Sequence, residues 1–374
     1  MIYPPKEDSL LLEKWVKRLA RGKVLDMGTG SGIQAVAASK KKSVKSVLAV
    51  DINPAVVRHC RKNIVSKKIR CLRSDLFAKV KGEFDTIIFN PPYLPQELPE
   101  RDVALEGGKK GYETIFRFLE SANAFLANNG IILLLFSSLN NKKSIEEAIR
   151  QNLLTFEELD RLHVFFEDLF VYKITKSKLL KKIEKAGAKQ LKYLTRGKRS
   201  WIFKGKYKGK DCVVKVKRPD SVANAPAKEG KMLKVVNGLG LGPRLFVAKK
   251  DFVAYEYVPG KYLEDVLADA TTNAKKRLFR QLFWQAFVLD NAMLAKEEML
   301  RPLKNAIVTP RGKVVMIDFE RTHRVRKPHN VTQLCTYAAQ QGIAPLADIK
   351  CWAIHYKQNP GKASFKMLLK GIRL

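Results

Sequence analysis

The heptapeptide Asp26-Met27-Gly28-Thr29-Gly30-Ser31-Gly32 closes an apolar run over 23–26 and opens directly onto an amphipathic run over 33–39. Alternate glycines let a backbone turn sharply and come close to a ligand, and a helix starting right after them aims its unpaired N–H groups at the same spot. A strand that ends in such a turn and feeds a helix belongs to a parallel sheet with helices on its faces. Further strand-length runs lie at 46–51, 69–72, 85–89 and 131–136, separated by amphipathic stretches, so the pattern predicts a doubly wound α/β fold. Two more runs, 155–160 and 163–172, have only Arg161 and Leu162 between them. That link is too short for a helical crossover and predicts an antiparallel hairpin at the sheet edge.

At 374 residues the chain exceeds the size over which a single core keeps growing. The text changes over 173–192 into a lysine-rich, helix-compatible run; strands then dominate 196–257, and helices dominate 262–294 and the stretch from 331 onward. The expected division is an α/β domain over 1–175, a basic linker or helix over 176–191, and an α+β, bilobal domain over 192–374. The longest apolar run, 131–136, has strand length, which excludes a helical membrane span; the opening residues lack the pattern of a secretory signal, so a cytoplasmic protein is expected. Five cysteines, odd in number and without C-x-x-C spacing, predict free thiols rather than a disulfide framework or a zinc site. A net charge of +35 favours polyanions such as RNA, ribosomes or ATP, but the basic residues are spread along the whole chain, as a solvated lysine-rich surface also requires.

The glycine turn reads D-x-G-x-G-x-G, not the G-x-G-x-x-G of a pyrophosphate reader, and the extra carboxylate of Asp26 suits a cofactor without pyrophosphate. Asp51 ends the next strand, where a carboxylate accepts ribose hydroxyls. In Ser74-Asp75-Leu76, after the third strand, Asp75 is placed to accept an adenine amino group and Leu76 to cover the ring. After the fourth strand comes Asn90-Pro91-Pro92-Tyr93. Its prolines fix the backbone and remove N–H donors. The Asn90 side-chain oxygen and the Pro91 carbonyl are then able to accept both hydrogens of an NH2 group and steer its nitrogen at a methyl donor, with Tyr93 stacked on the planar acceptor.

Together these residues resemble the HemK family of protein glutamine N5-methyltransferases, over residues 1 to about 172. The opening Tyr3-Pro4-Pro5-Lys6-Glu7-Asp8-Ser9-Leu10-Leu11-Leu12 is similar to a segment of the short archaeal and eukaryotic branch that folds over the cofactor, which makes Glu7 a cofactor-binding candidate; Glu106-Gly107-Gly108 also fits that family. The resemblance implies a Rossmann-like class I methyltransferase with a seven-stranded sheet, S-adenosylmethionine as cofactor, and the glutamine of a release-factor Gly-Gly-Gln loop as substrate. Unlike the bacterial members, the sequence shows no N-terminal helical domain to grip the release factor. Eukaryotic members use a small zinc-binding activator subunit. N-P-P-Y also serves adenine-N6 methyltransferases on RNA or DNA, and that alternative stays open.

In the second half, Cys212-Val213-Val214-Lys215-Val216-Lys217 reads as a strand with Lys215 as a phosphate-binding lysine, and Glu229 lies fourteen residues on, where a helix would bring it to that lysine. Runs over 306–309 and 313–317, joined through Pro310-Arg311-Gly312, predict a hairpin that sets Asn305 beside Asp318 as oxygen ligands for Mg2+ on ATP. This pattern resembles the small atypical RIO and Bud-type kinases over roughly 190–374. It departs from them in Asp318-Phe319-Glu320, where Gly usually follows Phe, and in lacking the catalytic H-x-D; Glu298 stands in as base candidate, seven residues before Asn305 instead of five. ATP binding is expected, with phosphate transfer, ATP hydrolysis and a nucleotide-gated docking module all left open.

Overall fold

The computed structural model describes residues 4–92 and 112–374. The chain forms two compact units, Met1–Leu194 and Thr195–Leu374. In the first, α1 (Glu7–Leu19) leads into β1 (Gly22–Met27), α2 (Ile33–Ser39), β2 (Val44–Asp51), α3 (Pro54–Asn63), β3 (Ile69–Arg73) and β4 (Phe84–Phe89). Then follow α4 (Glu113–Phe125), β5 (Leu126–Ser137), α5 (Lys142–Gln151), β6 (Leu154–Val164), β7 (Glu167–Lys176), α6 (Lys178–Lys185) and β8 (Ala188–Arg196). Two helix starts follow from the sequence: in α3 Asn53 accepts from the Ala55 N–H with Pro54 in the first turn, and α1 carries Glu7 and Asp8 at its start and Lys17 and Arg18 at its end, matching its dipole.

The seven-stranded sheet runs in the order β3-β2-β1-β4-β5-β7-β6. It is parallel from β3 through β5, with β7 and β6 antiparallel at the far edge. This is the Rossmann-like class I methyltransferase sheet that the family resemblance implied. Its central strands are apolar on both faces because helices cover both, as Ile132 to Phe136, all fully buried, illustrate.

Two expectations need correction. The hairpin turns at Phe165 and Phe166, not at Arg161 and Leu162, which instead pair with Phe170 and Leu169 inside the ladder. Phe165 takes a left-handed φ of +50° without the Gly or Asn that usually marks such a turn, and most of β6 is exposed or half-buried, so its mixed polarity looks like a loop. Cys60 and Cys71 form a disulfide, with Cα atoms 6.3 Å apart. The crossover that returns α3 onto β3 brings them together, which their eleven-residue separation does not reveal. Cys212, Cys335 and Cys351 are free. The lysine-rich segment is also more built than a linker: Leu180 and Ile183 of α6 are fully buried, and Asn123 donates to the Leu191 carbonyl at 2.8 Å.

The second unit continues with β9 (Ser200–Tyr207), β10 (Lys210–Lys217), α7 (Ala225–Gly238), β11 (Leu245–Ala248) and β12 (Phe252–Glu256), its strands lying side by side in the order β11-β12-β10-β9. Thereafter come β13 (Lys261–Tyr262), α8 (Leu263–Asp269), α9 (Thr272–Asn291), β14 (Leu294–Ala295), β15 (Ala306–Val308), β16 (Val314–Met316), β17 (His323–Arg324), α10 (Asn330–Gln340), α11 (Leu346–Gln358) and α12 (Lys362–Gly371). Phe279, Leu282, Phe283 and Leu289 of α9 recur at helical spacing and form the spine of its core, with Leu334 of α10 and Leu368 of α12 against them. Among the described residues no helix is long and apolar enough to cross a membrane.

Candidate functional site

In the first unit, β1 lies between β2 and β4, with Met27 paired to both Val50 and Phe89. Gly28, Asp51 and Asn90 therefore leave three neighbouring strands side by side at the C-terminal edge, where open α/β sheets bind ligands. The Thr29 N–H donates to the Val50 carbonyl at 2.9 Å, and the Gly30 N–H donates to Asp51 Oδ2 at 3.1 Å. Asp51 Oδ1 accepts from the Asn53 N–H at 2.9 Å. Burial pushes the Asp51 carboxyl up, against the pull of these backbone donors.

Asp26, 2% exposed, acts differently from the cofactor contact expected of it: its Oδ2 accepts the Thr29 hydroxyl at 2.6 Å and the Ala35 N–H at 3.1 Å, bracing the turn onto the first turn of α2. Burial pushes this carboxyl up to about 7. Gly30, at φ +52°, faces open space, since a Cβ there would meet only the Gly28 carbonyl oxygen, at 3.9 Å. Gly32, at φ +84°, has no such room: a Cβ would collide with the Ile64 side chain. A bare turn with a carboxylate at its rim fits a nucleoside cofactor that approaches the backbone closely.

The Asn90 elbow stands against this turn, its carbonyl oxygen 3.9 Å from the position of a Cβ on Gly28. Pro91 is buried and Pro92 half-buried. Asn90 Nδ2 donates to Asp8 Oδ2 at 2.8 Å, and Asn90 Oδ1 is buried without a hydrogen-bond partner among the described residues. Buried polar atoms are almost always paired, so such an acceptor points to a missing donor. Asp8 is 3% exposed, whereas Glu7, the residue singled out from the opening segment, is exposed. Asp75 is exposed and pairs with Arg117 at 2.6 Å; Leu76, half-buried, takes a φ of +42°. Tyr93 and Glu106-Gly107-Gly108 lie outside the described residues. Sequence reasoning missed Asp8 as a partner of Asn90, because 82 positions separate them and only the sheet and α1 bring them together.

In the second unit, Lys215 Nζ lies 2.9 Å from Glu229 and 3.0 Å from Asp318 Oδ1. Burial opposes the charge on Lys215, yet Glu229, Tyr255 and Asp318 hold its ammonium well above the usual lysine range. Burial also pushes the Glu229 carboxyl up, while Asp318, despite burial, is held below the ordinary carboxylate range by Lys215 and Lys296. Asn305 and Asp318 flank the β15–β16 hairpin, the Ile317 N–H donating to the Asn305 carbonyl at 2.8 Å. Among the described residues no group of three or more His, Cys, Asp or Glu is arranged to hold a metal.

Lys296, fully buried, is the residue with no signal in the sequence. Its Nζ donates to the Asp318 carbonyl oxygen, lies 3.3 Å from Glu298 Oε2 and stands 4.8 Å from the Phe319 ring centroid. Burial lowers its pKa, with Glu298 and Asp318 working in the opposite direction. Glu298 is thus tied through Lys296 to the Asp318 segment.

The family profile described as "Methyltransferase small domain" matches residues 7–165. A "Putative protein N5-glutamine methyltransferase" of Methanocaldococcus jannaschii is 37% identical over 177 residues, 46% of this chain and 89% of that protein. "Methyltransferase HEMK2" of Mus musculus is 31% identical over 166 residues, 40% of this chain and 78% of that protein. The "Release factor glutamine methyltransferase" of Escherichia coli K12 is 30% identical, but the match spans only 53% of it. Among solved structures, a chain of the E. cuniculi Mtq2–Trm112 complex, described as methylating the eRF1 translation termination factor, is 26% identical with a TM-score of 0.39, covering 47% of this chain and 98% of that one. Through its first ~165 residues, this chain belongs to the HemK-like glutamine methyltransferases, a family that works with S-adenosylmethionine.

Proposed function

We propose that the first unit methylates the side-chain amide nitrogen of a glutamine in a peptide-chain release factor, the glutamine of its Gly-Gly-Gln loop. The observation that carries this reading is the buried, unpartnered Oδ1 of Asn90 beside the glycine turn. Bound S-adenosylmethionine supplies an electrophilic methyl group on sulfur. An amide nitrogen is a poor nucleophile because its lone pair is delocalised, so what the site must supply is orientation. Asn90 Oδ1 and the Pro91 carbonyl accept the two amide hydrogens, Pro92 stiffens the elbow and Tyr93 stacks on the amide plane. The N–C bond forms as the S–C bond breaks, and one amide proton leaves to water. Gly28 and Gly30 receive the cofactor on bare backbone, Gly32 lets the turn pass close to Ile64, Asp51 takes the ribose, and Asp75, Leu76 and Glu7 complete the nucleoside pocket. Asp26 holds the turn in place.

The E. coli relative is named for release factors and a Francisella tularensis relative, 33% identical over 124 residues, for ribosomal protein uL3, which fixes the substrates to try. The full chain, with and without a small zinc-binding activator subunit, is to be incubated with S-adenosylmethionine and recombinant release factor, ribosomal protein or RNA, and the products mapped by mass spectrometry. One methyl group on a release-factor glutamine is the expected outcome. Methylated adenine in its place would move the chain to the nucleic-acid methyltransferases, with the second unit and its basic surface as an RNA or ribosome docking module.

A specific observation favours a second activity: the contact of Lys215 with both Glu229 and Asp318. We infer that the second unit binds ATP with Mg2+. Lys215 meets the phosphates, Asn305 and Asp318 supply two oxygens to the metal, and phosphate and water complete its shell, as is usual for Mg2+. Glu298 is the base candidate should phosphate be transferred. Calorimetry with ATP is expected to show Mg2+-dependent binding that weakens about tenfold or more in Asp318→Ala. Affinity unaltered by that substitution, or by omitting the metal, would rule the reading out.

A further inference from the structure

We propose that Asp8 is a positioning residue for the methyl acceptor, fixing which edge of the Asn90 carboxamide faces the substrate. The proposal rests on the methyl-transfer reading above. A carboxamide has nearly the same shape with its oxygen and NH2 exchanged, so packing alone sets its orientation weakly. For Asn90 the difference is decisive. With oxygen toward the site it accepts an incoming N–H; with NH2 there, donor would face donor. A carboxylate only accepts hydrogen bonds, so the edge of Asn90 that lies 2.8 Å from Asp8 Oδ2 must be the NH2. Turning the amide over would set two acceptors against each other in a buried place, which disfavours the flipped orientation.

Asp8 is itself held in place. It is buried at the start of α1, whose dipole favours a carboxylate there, and the Ser9 hydroxyl donates to its Oδ1 at 3.3 Å. Gln34 Nε2 donates to the Ser9 carbonyl at 2.8 Å and ties α1 to α2, the helix that follows the glycine turn. An acid serving the helix dipole alone needs no burial, as exposed Glu7 beside it shows. The α1 segment therefore sets the polarity of the acceptor pocket through one carboxylate.

The test uses the full chain and the release factor, with methylation rate and S-adenosylmethionine affinity measured separately. Asp8→Ala leaves both orientations of the Asn90 amide open and is expected to lower kcat/KM by about twofold or more, with cofactor affinity unchanged. Asp8→Asn keeps an acceptor oxygen at the same reach and is expected to restore most of the rate. Because Asp8 acts through Asn90, Asp8→Ala should have no further effect in an Asn90→Ala background. An unaltered rate in Asp8→Ala, a parallel fall in cofactor affinity, or an equal fall in the Asn90→Ala background would each overturn the proposal while leaving the methyl-transfer reading standing. No transfer by the wild-type chain to any glutamine would overturn both.

Discussion

Asn90→Ala is expected to lower kcat/KM for release-factor methylation by about 10²- to 10³-fold, the range typical of removing one preorganised polar group that acts on the reacting atoms. Cofactor affinity should hardly move, since the glycine turn follows β1 and Asp51 ends β2 while Asn90 follows β4. The substitution also removes the Asp8 contact, but an alanine at this half-buried place leaves only a small void, and thermal unfolding checks that the unit still folds. Initial rates by mass spectrometry, paired with calorimetry for S-adenosylmethionine, separate the outcomes. If cofactor binding and methylation fall together, Asn90 belongs to the cofactor pocket and the amide-holding role is wrong.

The second large effect concerns stability. Glu229 is 1% exposed and Lys215 11%, so Lys215→Met strands a buried carboxylate, and losing one member of such a pair costs about 3–5 kcal/mol. The sign with pH follows from Glu229, whose carboxyl burial already raises and which loses the lysine's opposing pull in the variant. A carboxyl raised in the folded state is stabilising relative to its ionised form below the unfolded value, and that contribution fades as pH rises. The deficit should therefore be small near pH ~4.5, the ordinary glutamate value, and grow as pH rises through the raised folded value. Adding Glu229→Gln to Lys215→Met should recover a large part of it. Urea unfolding followed by tryptophan fluorescence reads this out, because Trp201, Trp284 and Trp352 lie in the second unit and only Trp15 in the first. A pH-independent loss that the second substitution leaves unrepaired would mean that Lys215 matters for packing and not for its charge.

The sequence was most readable where local pattern and tertiary place coincide. The turn over 26–32, the strand ending at Asp51 and the elbow at Asn90 each follow an apolar run, and β-strand order then puts them together. The expected meeting of Lys215 with Glu229 relied on helical spacing alone and is present at 2.9 Å. What stayed hidden depends on contacts between distant segments. Nothing around Asp8 says that it, and not Glu7, turns inward, and nothing around Lys296 says that a lysine will be wholly buried behind Asp318. Cys60 and Cys71 meet only because a helix folds back on its following strand. The hairpin turn was misplaced because Phe165 and Phe166 are 83% and 99% exposed, a placement for which apolar residues give no cue.

The brace under the glycine turn has a consequence of its own. Asp26 shifts from an ordinary carboxyl to one that titrates at about 7, so near neutrality a share of the molecules carries a proton there. Its contribution to stability is complete in acid, below the unfolded carboxyl value, and drains away as the solution passes through neutral. Any cation seated at the turn pulls the other way, toward the ionised carboxylate, so filling the turn and shedding that proton become two faces of one equilibrium. Through Asp26, mild acid then favours the empty folded turn while loosening its hold on a positively charged guest.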